Sequence, residues 1–232
     1  MPVLEAHDLH KTYTGGDGGA INVLSGVDFA LARREMVAVV GASGAGKSTL
    51  LHVLGALDRP SRGYVVLGGE PVNGLNEEQL AALRNTSVGF VFQFHHLLRE
   101  FTALENVMMP MRISGRALPE ARSRAEELLS RVGLSGRMHH LPSALSGGEQ
   151  QRTAVARALA MDPKVVLADE PSGNLDLANA STLHDLLAEV VGDLEIGMVV
   201  VTHNRALASR ASRVMLLEGG KLTETVVSEV MV

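Results

Sequence analysis

The sequence predicts an α/β fold built on a parallel sheet, and three observations predict it. Residues 164 to 170, "KVVLADE", and 198 to 203, "MVVVTH", are unbroken apolar β-runs ending in polar residues, as strands covered on both faces of a parallel sheet do. Between them "ANASTLHDLLAEVVG" carries helical patterning. Earlier in the chain "MVAVV" (36 to 40) runs into a glycine-rich turn and then "STLLHVLGAL", so strand, turn and helix follow one another.

Taken in order, residues 2 to 40 fall into short alternating pieces: "VLEAHDLHKTY", the loop "TGGDGGA", "NVLSGVDFALARR" and "EMVAVV". They read as strands joined by hairpins, an N-terminal antiparallel β subdomain. Residues 36 to 57 carry only one formal charge, but three glycines and Lys47 at the centre divide them into strand, turn and helix rather than one membrane span. From residue 62, "RGYVVLGGEPV" reads as a strand pair turning at Gly68-Gly69. "PEARSRAEELLSRV" (119 to 132) opens with Pro119, puts Ala121, Ala125, Leu128, Leu129 and Val132 on one helical face, and stops at Gly133. The expected organisation is one domain over 1–232, with a core from 1–92 and 161–232 and an inserted helical subdomain over 93–160.

At 232 residues and 46% apolar content, the chain can bury a substantial core. Its net charge of −5, with Lys and Arg scattered, gives no basic stripe to follow a phosphate backbone, so nucleic acid is not an expected partner. No cysteine is present, which removes disulfides and thiolate metal sites. The N-terminus has charge and histidine where a secretory leader needs an apolar run, and no direct membrane insertion is expected.

"GASGAGKST", Gly41 to Thr49, fits G-x-x-x-x-G-K-[ST] in a strand-to-helix context. Gly41, Gly44 and Gly46, with Ser43 and Ala45 between them, let successive backbone N–H groups wrap a phosphate chain. The helix starting near Lys47 directs its dipole at that chain, and Lys47 reaches its terminal phosphates. Ser48 is the candidate Mg²⁺ ligand, followed by Thr49. "VVLADEPSGNLD" adds Asp169 at a strand end, placed to hold the metal, and Glu170 one residue further out, placed as general base for water attacking a γ-phosphate. "LSGGEQQR" (145 to 152) is a second Ser-Gly-Gly turn opening a helix, either a second anion site or a helix start capped by Ser146.

In order and spacing, "GASGAGKST", "LSGGEQ", "VVLADE", "SGNLD" and His203 resemble the ATP-binding cassette (ABC) ATPases over essentially the whole chain. The resemblance implies a P-loop ATPase dependent on ATP and Mg²⁺. It makes Tyr13 the aromatic stacked on adenine and Gln93 the glutamine that touches Mg²⁺ and the attacking water. It makes Ser146, Gly147, Gly148 and Glu149 the contacts to ATP held by the other protomer of a head-to-tail homodimer. Asp176 would then link the two sites and His203 would contact the γ-phosphate. Asn204 stands where the family often has Asp, and Asn caps a helix equally well.

Within the family, "QFHHLL" and "FTALENVMMP" resemble the LolD group, the ATPases of complexes that release lipoproteins from the bacterial inner membrane. Arg99 departs from the Pro common there. That resemblance implies LolC/LolE-like membrane subunits as partners and a peripheral place on the cytoplasmic face of the membrane. The MacB- and FtsE-like ATPases of export and cell-wall remodelling are the alternative. A DNA-organising ATPase would need a coiled-coil insertion or a basic face, and the sequence has neither. His95 and His96 do not suit a metal, because adjacent side chains diverge on strand or helix. The surrounding Phe94, Leu97, Leu98, Phe101, Leu104, Val107, Met108 and Met109 point instead to a docking surface, about half of it core.

Overall fold

The computed structural model describes residues 1–16 and 18–230. A hairpin opens the chain: β1 (Leu4–Thr14) pairs antiparallel with β2 (Ala20–Leu31) across the glycine-rich loop, whose Asp17 lies outside the described residues. Next come β3 (Met36–Val40), α1 (Lys47–Leu54), β4 (Arg62–Leu67), β5 (Glu70–Pro71), α2 (Glu77–Ser87) and β6 (Val88–Phe92). Three helices separate β6 from the next strand: α3 (Ala103–Ile113), α4 (Leu118–Arg131) and α5 (Gly147–Ala158). The chain continues through β7 (Val165–Asp169), α6 (Leu177–Asp193), β8 (Gly197–Val201), α7 (Arg205–Ala208), β9 (Arg213–Glu218), β10 (Lys221–Thr225) and α8 (Val227–Val230).

Two sheets result. A four-stranded antiparallel sheet has the order β2-β1-β4-β5, and a six-stranded sheet has the order β10-β9-β3-β8-β7-β6, parallel except where β10 meets β9. The expectation that residues 2 to 40 form one hairpin series is corrected by this topology. All five residues of β3 are buried, so the strand needs cover on both faces and leaves the hairpin for the centre of the parallel sheet. Arg34, with φ 59°, makes the turn, and Glu35 fixes it by accepting from the Ala32 N–H (2.7 Å) and pairing with Arg213 (2.6 Å).

The period of two in β3 divides the core. Met36, Ala38 and Val40 join a cluster with α3, α4, α5 and α6, while Val37 and Val39 join one with α1 and the antiparallel sheet. Alternate residues of β7 and β8 divide the same way, which is why these strands read as continuous apolar runs. In α4, Ala121, Ala125, Leu128 and Leu129 are buried with Val132 just beyond, and each fully buried leucine contributes about 2 kcal/mol. Because β3, β6, β7 and β8 run parallel, the loops after them, beginning at Gly41, Gln93, Glu170 and Thr202, emerge at one edge of the sheet.

Candidate active site

The loop from Gly41 to Gly46 joins β3 to α1 in a conformation that glycine alone tolerates at two points. Gly41 has φ 152°, and a Cβ there would lie 2.4 Å from the Leu217 carbonyl oxygen. Gly46, at φ 98°, is the N-cap of α1, and a Cβ there would lie 2.5 Å from Val23. Lys47 turns its ammonium back into the loop and donates to the carbonyls of Gly41 and Ala42, each at 2.9 Å. The first-turn N–H groups of α1 have no intrahelical acceptor, which suits them to an anion.

A cleft of about 440 Å³ gathers Tyr13, Ser43, Gly44, Gly46, Lys47, Ser48, Thr49, Asp169 and Glu170. Ammonium, hydroxyl and paired carboxylates thus meet beside a helix N-terminus. Ser48 and Asp169 offer hydroxyl and carboxylate oxygens, the hard donors that Mg²⁺ takes. Glu170 sits just past β7 at φ 45°, its N–H bonded to the Val201 carbonyl at 2.9 Å. Its carboxylate meets His203 Nδ1 at 2.8 Å, and the His203 backbone N–H donates to its other oxygen at 3.3 Å. An ionised Glu170 only accepts, so Nδ1 is then the protonated nitrogen. Asn204 caps α7 by accepting from the Leu207 N–H (3.1 Å), as its side chain allows.

Gln93 is not among the residues lining this cleft. Its Nε2 donates to Asn174 Oδ1 at 3.1 Å and Asn174 Nδ2 donates back to the Gln93 carbonyl at 3.2 Å. A Cβ on Gly173 would come within 2.8 Å of Gln93 Nε2, so a side chain there would displace the amide from this position.

The second glycine turn lies apart from the cleft. Ser146 caps α5 in a reciprocal box: its Oγ accepts from the Glu149 N–H (3.2 Å), and Glu149 accepts from the Ser146 N–H (2.8 Å). Glu149 also pairs with Arg137 at 3.0 Å, and the Ser146 contact, ahead of Arg137, holds its carboxyl below the usual range against a smaller burial effect. The helix-start reading of this turn is thus observed directly, in its capping box. Gly147 and Gly148 open the helix, and a Cβ on Gly148 would strike the Asn179 side chain at 2.4 Å. Asn179 is in turn held by Asp176, which caps α6 through the Asn179 N–H at 2.9 Å. The signature turn and the segment containing Asp176 are thus in contact through one asparagine.

Several residues passed over in the sequence organise the segment after β6. Gln151, fully buried in α5, donates to the Phe92 carbonyl at 3.1 Å. Arg157, one helix face further along, donates to the carbonyls of His95 (2.8 Å) and His96 (2.7 Å). Asn106, fully buried in α3, accepts from the Leu98 N–H (2.7 Å) and donates to the carbonyls of Leu98, Phe101 and Thr102. Its signal was a lone amide inside the apolar run "ALENVMMP". Thr102 starts α3 with a capping box to Glu105, and the apolar run divides there. Leu104, Val107 and Met108 are core, whereas Phe94, Leu98 and Phe101 are exposed, and Phe94 and Leu97 line a second cleft of about 750 Å³. The His96 ring packs edge-on to Phe92 at 5.4 Å, and burial, then its neighbours His96 and Arg157, push the pKa of His95 down.

Comparison with known proteins agrees with this geometry. The family profile described as ABC transporter matches residues 24–173. The chain is 52% identical over 220 residues to the lipoprotein-releasing system ATP-binding protein LolD of Geobacter metallireducens, covering 95% of this chain and 97% of the relative. It is 50% identical over 218 residues to the LolD of Cytophaga hutchinsonii, covering 94% and 97%. Among solved structures, the ATP-binding cassette MJ0796, in a dimeric post-hydrolysis state bound to ADP and Pi, superimposes with a TM-score of 0.87 at 36% identity, covering 97% of this chain and 98% of that one. With its fold, site and sequence in agreement, the chain belongs to the ABC transporter family, alongside its LolD members.

Proposed function

We propose that this chain is the ATP-hydrolysing subunit of a bacterial inner-membrane complex that releases lipoproteins. The observation that carries the chemistry is the meeting of Lys47, Ser48, Asp169 and Glu170 in one cleft at the C-terminal edge of the parallel sheet. Full-length similarity to LolD proteins carries the cargo.

The backbone N–H groups at the start of α1 and the Lys47 ammonium hold the phosphate chain. Ser48 and Asp169 would hold Mg²⁺, which when bound would offset negative charge on the phosphate oxygens. Glu170 accepts the proton of the water that attacks the γ-phosphate in line, giving ADP and phosphate. His203, hydrogen-bonded to Glu170, orients that carboxylate and reaches toward the γ-phosphate. Tyr13 stacks on adenine. Gln93, now paired with Asn174, would be a further ligand for Mg²⁺ and a contact for the attacking water, and Ser146, Gly147, Gly148 and Glu149 approach the nucleotide of a second copy in a head-to-tail dimer linked through Asp176.

The helices of 93–160 form a subdomain beside the core of 1–92 and 161–232. Phe94, Leu97, Leu98 and Phe101 receive a cytoplasmic helix of a LolC/LolE-like membrane subunit. No helix among the described residues is long and apolar enough to cross a membrane. The membrane subunits hold the chain at a peripheral place on the cytoplasmic face.

The test is Glu170→Gln, tagged and purified from membranes with ATP. The variant should retain ATP, lose phosphate release by more than tenfold, and bring LolC/LolE-like subunits with it. Phosphate release within tenfold of the parent removes Glu170 as the base. Companions of the export or cell-wall type would replace the cargo assignment.

A further inference from the structure

Behind Tyr13 lies a polar cluster whose chemistry is unused in the mechanism above. Lys11 and Tyr13 are two apart on β1 and so share a face of the strand. Lys11 is only 9% exposed, and its ammonium donates to Asp58 Oδ1 at 2.7 Å and to the Arg59 carbonyl at 2.8 Å. The Tyr13 hydroxyl donates to the other Asp58 oxygen at 2.8 Å. The same ammonium lies 4.8 Å from the centroid of the Tyr13 ring, within cation–π range.

Asp58 is itself anchored to the phosphate-binding helix. It follows the end of α1, where the N–H groups of Leu57 and Asp58 both return to the His52 carbonyl, at 2.8 and 3.2 Å. One end of α1 therefore faces the phosphates, and the other end carries the carboxylate that grips Tyr13. We infer that Asp58, with Lys11, is a positioning residue for nucleotide binding: it fixes the Tyr13 ring at a set distance from the phosphate loop, so that base and phosphates are bound in register. This rests on Tyr13 being the adenine platform.

Burial alone would disfavour the Asp58 carboxylate, but its bonds from Lys11 and Tyr13 outweigh that and hold its pKa below the ordinary value. The carboxylate is thus a full charge at neutral pH. One face of the ring is occupied by the ammonium, and recognition falls to the π-face of the base, so any purine should serve.

The experiment uses the full chain and measures KM for ATP, kcat, and competitive inhibition by tripolyphosphate, which has no base. Asp58→Asn should raise KM for ATP about fivefold, the scale of one ordinary net hydrogen bond of about 1 kcal/mol, with the effect on KM rather than kcat and with the tripolyphosphate constant unmoved. Tyr13→Phe should raise KM to a similar extent, and Asp58→Asn added to it should contribute little more, since the hydroxyl that couples them is gone. The inference is overturned if the tripolyphosphate constant rises in step with KM, if the two substitutions add fully, or if Tyr13→Phe leaves KM unchanged. Tyr13→Ala separates the underlying reading: an unchanged KM there removes Tyr13 as the platform, whereas a raised KM with a silent Asp58→Asn removes only the positioning role. Should Asp58→Asn fail to fold, the Tyr13→Phe result decides alone.

Discussion

Replacing Asn106 with Ala should loosen the whole turn between β6 and α3. The side chain is fully buried and accepts one bond at 2.7 Å while donating to three carbonyls at 2.9, 3.0 and 3.1 Å. An amide nitrogen has two hydrogens for those three acceptors, so the knot amounts to about three net bonds at roughly 1 kcal/mol each, or about 3 kcal/mol. For a domain of this size that corresponds to a fall in Tm of about 6–12 °C. Asn106→Asp keeps the shape and the acceptor for Leu98 but turns lone pairs toward three carbonyl oxygens, and its fall should be at least as large. Thermal unfolding by circular dichroism reads both, and limited proteolysis should show new cleavage between residues 97 and 102. A fall of less than about 2 °C for Asn106→Ala, with the cleavage pattern of the parent, would refute the claim that this amide holds the turn.

Lys47→Ala should abolish tight ATP binding, read by equilibrium binding of a fluorescent nucleotide; unchanged affinity would remove the assignment of the loop. Leu98→Glu or Phe101→Glu, both at exposed positions, should leave Tm within about 2 °C of the parent while stopping co-purification with the membrane subunits. Intact co-purification would count against the docking surface. His184 is 1% exposed, and burial, followed by the charge of Arg210, pushes its pKa below the ordinary value against a smaller pull from Asp185. As pH falls below about 6.5 the unfolded chain takes up a proton that the folded chain refuses, so stability should drop there. Calorimetry from pH 7.5 to 5.5 should show a shallower slope for His184→Gln, and parallel slopes would exclude the histidine as a cause.

The parts of the site legible in sequence were those fixed by short-range rules. "GASGAGKST" between an apolar strand and a helix leaves the backbone few alternatives, and the structure has Lys47, Ser48, Asp169 and Glu170 in one cleft. Ser146 with Glu149, and Asn204 at α7, are caps recognisable from spacing alone. α2 carried the same signal in Asn76 and Gln79 and could have been placed by it. What sequence could not show was pairing across distance. Gln93 meets Asn174 across 81 positions, and Gln151 reaches Phe92 across 59, with no periodicity to announce either. About half of the apolar run from Phe94 to Met109 was expected to be core, but the pattern did not say which half; the residues after the Thr102 cap turn inward because helix formation there sets their direction.

The grip of Lys47 on the carbonyls of Gly41 and Ala42 has a kinetic meaning. Those bonds close a ring of seven residues by a noncovalent clasp, so the curvature of the loop is written into the chain itself. On the role proposed for Lys47, nucleotide capture would be ion exchange more than moulding: a phosphate oxygen would replace a carbonyl oxygen around one ammonium, in a turn that already holds its curvature. Substituting the lysine opens the clasp as well as removing a cation, and on that role every anion that fits the turn, base or no base, would compete for the same exchange.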